Sequence, residues 1–276
     1  MKKLLLILLV FAINLQAEKK LNVMTTIYPL YEAIKIVGAE NINVQKLISY
    51  SQEIHEYSPT PKDVIKIINS DIFLYLGAGL DDFLINFRNK KLAYDLSENI
   101  VEKNADSHYW LDIDSYILLV KKVANILSKS DKANKESYEK RSKEYILELK
   151  KLNQEYKNTL DECKIDTIVV DHNAYTHLAN KYNFKIHSIS GSSGHSRVSA
   201  KNMKQAIDYL KILKKPIIFS EALSNDSALK VISQEANAEL KVLETLENVT
   251  KKQSSETYIS LMRNNLGLLK HALNCK

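Results

Sequence analysis

From Lys132 to Glu162 the chain runs for roughly thirty residues with neither glycine nor proline, and charged side chains dominate the run. Tyr138, Tyr145, Leu149, Leu152, Tyr156 and Leu160 recur at spacings of three, four and seven, the signature of one helix face. At 1.5 Å per residue such a helix is a rod of roughly 45 Å, longer than a small domain is wide. It is either a coiled-coil or dimer helix, or a single helix spanning two lobes. The second reading is preferred, because strand and helix patterns alternate on both sides of it.

Before it, strands are expected at Leu21–Thr26, Ile42–Leu47, Asp71–Leu76 and Leu92–Asp95. The third is almost wholly apolar, as a strand buried on both faces of a parallel sheet would be. Helices are expected at Pro29–Val37, with Thr26 as cap and Gly38 at its end, and at Pro61–Asn69, where Thr60 and Asp63 make a capping box. Another is expected at Ser115–Leu127. After the long helix the pattern repeats. Strands are expected at Thr167–Asp171, Phe184–Ile189, Pro216–Ser220 and Glu239–Leu243, and helices at His172–Tyr182, Ser199–Leu213, Asp226–Ala236 and Glu256–Leu273. The fold class implied is α/β: two βα lobes with parallel-type sheets, joined by a long interdomain helix, with a cleft between them. Residues 18–130 form the first lobe, 131–162 the linking helix and 163–276 the second lobe. Ligands of such sheets bind beyond the carboxyl ends of the strands.

Lys2 and Lys3 precede an apolar run from Leu4 to Ile13, which at about ten residues is too short to cross a bilayer. With Ala17 as the small residue before the cut, residues 1–17 read as a cleavable signal peptide, and no Cys follows the run to accept a lipid. Export to the periplasm is therefore expected. The net charge of +6 falls to +4 when Lys2 and Lys3 are lost, and no basic cluster is interleaved with aromatics, which argues against nucleic-acid binding. The two cysteines, Cys163 and Cys275, form no CxxC pair. In an exported protein they are candidates for one disulfide, the alternative being two separate thiols.

Of seven histidines, three sit where this architecture gathers ligands. His55 lies in the loop after the second strand, His108 at the turn into a helix, and His172 at the end of the strand Thr167–Asp171. Their wide spacing makes no local metal motif, so they are either one shared His₃ site or three unrelated side chains. The surrounding words favour the shared site. His55-Glu56-Tyr57-Ser58-Pro59-Thr60-Pro61-Lys62-Asp63, Asp106-Ser107-His108-Tyr109-Trp110-Leu111-Asp112, Asp171-His172-Asn173-Ala174-Tyr175 and Thr257-Tyr258-Ile259-Ser260-Leu261-Met262-Arg263 occur in that order. Together they resemble the zinc- and manganese-binding solute-binding proteins of ABC-type importers, along the whole mature chain.

The resemblance implies a metal site in the cleft, a rigid helix between lobes, delivery to a membrane permease, and His55, His108 and His172 as ligands. In this family the fourth ligand is often an Asp ahead of a Leu-Gly pair. Here the segment reads Leu243-Glu244-Thr245-Leu246-Glu247, which puts Glu244 at the Asp position and Glu247 at the Gly position. Glu244 is the expected fourth ligand, with a water or another carboxylate as alternatives. Three imidazoles suit Zn²⁺ better than Mn²⁺, which favours oxygen donors. Glu221, after a strand end, is a candidate acceptor behind a ligand histidine. His195, in a Gly/Ser-rich loop, is a candidate accessory contact. His177 and His187 are expected to take no part. A monomeric, non-catalytic Zn²⁺ carrier is the leading expectation, with a manganese carrier of the same class as its alternative. An exported zinc hydrolase using Glu221 or Glu244 as base is a weaker rival, and a surface adhesin rests only on the resemblance, some members of the family being so named, with nothing in the sequence beyond export to support it.

Overall fold

The computed structural model describes residues 20–276 apart from 56, 88–91, 103–104, 191–198, 224–226 and 248. The expected signal peptide and His195 lie outside the described residues. Two four-stranded sheets, each wholly parallel, carry the fold. The first contains β1 (Leu21–Thr25), β2 (Ile42–Lys46), β3 (Ile72–Tyr75) and β4 (Ala93–Asp95). The second contains β5 (Thr167–Val170), β6 (Lys185–Ser188), β7 (Ile217–Ser220) and β8 (Glu239–Val242). Their spatial orders are β2-β1-β3-β4 and β6-β5-β7-β8, the same topology twice. In both, the chain steps one way from the founding strand and then crosses back past it, the reversal that opens a crevice at the strand ends. β3 and β7 are buried at every position, which explains their apolar runs.

The helices are α1 (Tyr28–Gly38), α2 (Pro61–Asn69), α3 (Ile113–Ser130), α4 (Lys135–Leu160), α5 (Thr176–Tyr182), α6 (Ala200–Lys211), α7 (Ser227–Ala236) and α8 (Tyr258–Ala272). The capping box of Thr60 and Asp63 is present as expected. Thr26, by contrast, does not cap α1: the cap position is Ile27, with no side-chain bond, and Pro29 alone marks that start. α5 begins four residues later than expected, because Asp171–Tyr175 are spent on a loop that leaves the sheet. No helix among the described residues is long and apolar enough to cross a membrane.

α4 is a single uninterrupted helix of 26 residues, roughly 39 Å at the standard rise. Its buried stripe includes all six apolar positions named from the sequence. Arg141 fastens its first half to α1: Nε donates to the carbonyl of Val37 at 2.7 Å, and Nη2 donates to Gly38 at 3.0 Å and to the Asn41 side chain at 2.7 Å. A cation there satisfies carbonyls at a helix end that lack partners within the helix. The second half is tied to α8. The Tyr156 hydroxyl donates to the Met262 carbonyl at 2.6 Å, and Arg263 forks onto Glu155 at 2.8 Å through both nitrogens. Cys163, just beyond α4, is bonded to Cys275, just beyond α8, so the pairing suggested for an exported chain is made. One hydrophobic core runs from the first sheet through α3, α4 and α8 into the second half, and a smaller core lies between α6, α7 and the second sheet.

Candidate metal centre

Four side chains from four different loops converge at the carboxyl ends of the strands. Their donor atoms all lie within 4.8 Å of one another: one nitrogen each from His55, His108 and His172, and one carboxylate oxygen from Glu247. The imidazole centroids are 5.5–6.2 Å apart.

His55 stands on the loop between β2 and α2. Ile54 and Tyr57 are buried on either side of it, and the capping box at Thr60 sets where the loop ends. Its Nε2 is 3.8 Å from Glu247 Oε2. His108 precedes a single tight turn, Tyr109–Leu111, whose three side chains are fully buried and wedge it in place. Asp106 accepts from both the backbone N–H and Nδ1 of His108, at 3.0 and 2.7 Å, which leaves Nε2 facing Glu247 Oε2 at 3.4 Å. His172 leaves the end of β5 and Glu221 leaves the end of β7, which is paired to β5. The Glu221 carboxylate therefore meets Nδ1 of His172, as the sequence suggested. A carboxylate behind an imidazole sets its tautomer and aims the other nitrogen forward.

Glu247 follows β8 on a loop whose Leu246 adopts a left-handed backbone, φ 64°, turning the carboxylate inward. Glu244, the residue favoured from the sequence, is not in the cluster. Its carboxylate accepts from Gln253 Nε2 at 2.7 Å, and its main chain is clasped by the Asn265 side chain on both N–H and C=O. The segment itself carries no signal that separates the two acids, because Glu244 and Glu247 both stand among Leu243, Leu246 and Val249.

The electrostatics of the cluster suit a cation. The side chain of Glu247 is wholly shielded from solvent, yet neither of its oxygens has a hydrogen-bond partner, and the same is true of Nε2 on His108 and His172. Leaving such groups unsatisfied costs on the order of 1–3 kcal/mol each. Burial pushes the Glu247 carboxyl up, but the imidazoles of His108, His55 and His172 outweigh it and hold the acid below its ordinary range. Burial pulls His108 down, but Glu247 and Asp106 more than reverse this and carry it up to about 10. Burial and the neighbouring His108 push His172 down to about 4, so it offers a free lone pair at neutral pH.

The other candidates fall elsewhere. His177 directs Nε2 at the carbonyl of Asp106, 2.7 Å away, and His187 stacks against Tyr209 in the second sheet.

A family described as zinc-uptake complex component A, periplasmic, matches residues 23–272. Among relatives, the high-affinity zinc uptake system protein ZnuA of Bacillus subtilis is 32% identical over 286 residues, covering 93% of this chain and 89% of that one. The zinc-binding lipoprotein AdcA of Streptococcus pneumoniae is 32% identical over 281 residues; the match covers 92% of this chain but only 56% of AdcA, so this chain spans about half of that longer protein. The crystal structure of the Zn(II)-bound ZnuA-like domain of AdcA superposes with a TM-score of 0.81 at 31% identity, over 93% of this chain and 100% of that domain.

Proposed function

This chain belongs to the zinc-uptake complex component A family, the zinc-binding substrate-binding proteins of ABC importers, and we propose that its cargo Zn²⁺ is held by His55, His108, His172 and Glu247. One observation carries this reading: the buried carboxylate oxygens of Glu247 and Nε2 of His172, none with a hydrogen-bond partner, converge with the imidazoles of His55 and His108 from four loops. Three imidazoles and one carboxylate make a tetrahedral set suited to Zn²⁺, whereas Mn²⁺ prefers more oxygen donors. The set is also closed. A hydrolytic zinc keeps a position open for water, and here Glu247 occupies it. Capture and release of the ion is therefore favoured over catalysis.

In this reading the protein is exported behind the segment 1–17, works as a monomer, and hands its ion to the membrane permease of the importer. Residues 18–130 and 163–276 act as the two lobes, and 131–162 as the spacer that fixes their separation. Elemental analysis of protein purified without added metal, followed by titration against a chromogenic zinc chelator, tests the assignment. One Zn²⁺ per chain is expected, held more tightly than by the chelator. Protein that carries no zinc and does not compete would overturn it.

A further inference from the structure

We propose that His177 is a latch: by donating Nε2–H to the main-chain carbonyl of Asp106 it holds the two walls of the cleft mouth together and slows the exit of bound metal. The proposal rests on the reading of His108 as a zinc ligand. His177 lies on α5 in the second half of the chain, and Asp106 lies between β4 and α3 in the first, so the 2.7 Å contact bridges the cleft. A carbonyl oxygen only accepts, so Nε2 carries the hydrogen and cannot also coordinate a metal.

The position of this bridge gives it its consequence. A cavity of about 410 Å³ opens at the four-residue cluster, lined by Ala78, Gly79 and Asp106 from the first half of the chain, by Asn173 and Thr176 from the second, and by His55 and His108 themselves. Side-chain exposure is 18% for His55 but 2% for His108, 3% for His172 and zero for Glu247, so the centre is open to solvent from the His55 side. An ion leaving by that route passes between walls drawn from both halves of the chain, and any local loosening of those walls widens its way out. His177 joins them one residue away from Ser107 and two from His108, through the residue whose carboxylate orients His108. Its hydrogen bond is lost when the walls separate and regained when they close, which is what a latch requires.

Stopped-flow release of Zn²⁺ from the full chain into excess chelator tests this with His177→Ala, His177→Gln and, as a control, His187→Ala. A net hydrogen bond in this setting corresponds to a three- to tenfold change in rate, about 0.7–1.4 kcal/mol. His177→Ala is expected to release zinc up to tenfold faster, with its metal-free melting temperature lowered by no more than the few degrees that one hydrogen bond is worth. His177→Gln, which can still donate to the carbonyl, is expected to return within about twofold of wild type, and His187→Ala to release at the wild-type rate. Release from His177→Ala at the wild-type rate overturns the latch, as does His177→Gln releasing as fast as His177→Ala. Failure of the site reading looks different: wild-type protein would then hold no Zn²⁺, or His108→Ala would hold it as tightly as wild type.

Discussion

The indole N–H of Trp110 donates to the carbonyl oxygen of Thr245 at 2.8 Å, joining the turn that carries His108 to the loop that carries Glu247. Trp110 is fully buried and its own carbonyl accepts from the Tyr258 hydroxyl at 2.7 Å, so this link between the two halves of the chain is also tied to the start of α8. The metal centre is thus framed by hydrogen bonds that do not involve its ligands. Trp110→Phe keeps the ring's packing and removes the donor, leaving the Thr245 carbonyl buried and unanswered. A loss of about 1–3 kcal/mol in stability is expected, with a several-fold weaker zinc affinity. Thermal denaturation and chelator competition on the same sample read both.

Ligand substitutions should sort the carboxylates. His108→Ala, His172→Ala and His55→Ala should each weaken Zn²⁺ binding by orders of magnitude, and Glu247→Gln should weaken it strongly because the only anionic donor is lost. Glu244→Gln should change affinity less than about threefold, since that side chain is engaged with Gln253 outside the cluster. If competition titration finds Glu244→Gln crippled and Glu247→Gln normal, the assignment of the fourth donor is reversed.

Zinc binding should release protons even at neutral pH. In the empty protein Glu247 and Asp106 hold His108 protonated up to about pH 10, whereas the metal needs its lone pair. Below that pH the apparent affinity should rise about tenfold per pH unit, one proton being displaced per ion, and it should fall more steeply in acid where further ligands protonate. Calorimetry in two buffers of different ionisation enthalpy counts the protons. A count of zero at pH 7.5 would contradict the arrangement.

The same raised His108 bears on the stability of the empty protein. A histidine whose folded pKa lies above its unfolded value of roughly 6.5 contributes stability that is complete below 6.5 and lost as pH rises toward 10. Metal-free protein should therefore melt at progressively lower temperature between pH 7 and pH 10. Glu247→Gln should flatten that slope by removing the partner that raises the pKa. A melting temperature independent of pH in the wild type over this range would speak against the His108–Glu247 pair.

Reduction of the disulfide should lower stability and spare the site. Cys163 and Cys275 close a 112-residue separation, for which chain entropy gives roughly 4–5 kcal/mol. The bond lies at the far ends of α4 and α8, away from all four donors. Reduced protein should melt several degrees lower and still bind one Zn²⁺.

Loading should change the overall dimensions little. α4 is continuous and fastened to the first half by Arg141 and to the second by Tyr156 and Glu155, with no glycine or proline to bend it. Solution scattering of empty and loaded protein is expected to give the same radius of gyration. A contraction of several ångströms would require a hinge that this helix does not supply.

Much of this was legible in the chain itself. The six apolar positions along α4, the alternation of short apolar strands with amphipathic helices, and the Thr60–Asp63 cap are local patterns, each written within a few turns or one strand. His55, His108 and His172 could be singled out because each lies in a loop between elements, His172 directly after a strand, and because each stands in a word that resembles the metal-binding solute-binding proteins. The cap of α1 was misread because Thr26 is one residue too early for helical geometry to reach it.

Which acid faces the histidines is a matter of tertiary packing. Glu244 and Glu247 are three residues apart with similar neighbours, and nothing within the segment says which way the backbone turns. The left-handed residue at Leu246, the Asn265 clasp on Glu244 and the Trp110 bond to Thr245 set it together, and apart from the turn itself the partners lie 21 and 135 residues away. The alternation, the long helix and the candidate imidazoles can be read from short stretches of chain, because periodicity and residue chemistry are local properties. The place of Glu247 beside the histidines and the His177–Asp106 bridge depend on where distant stretches meet, which follows from packing of the two halves around one core.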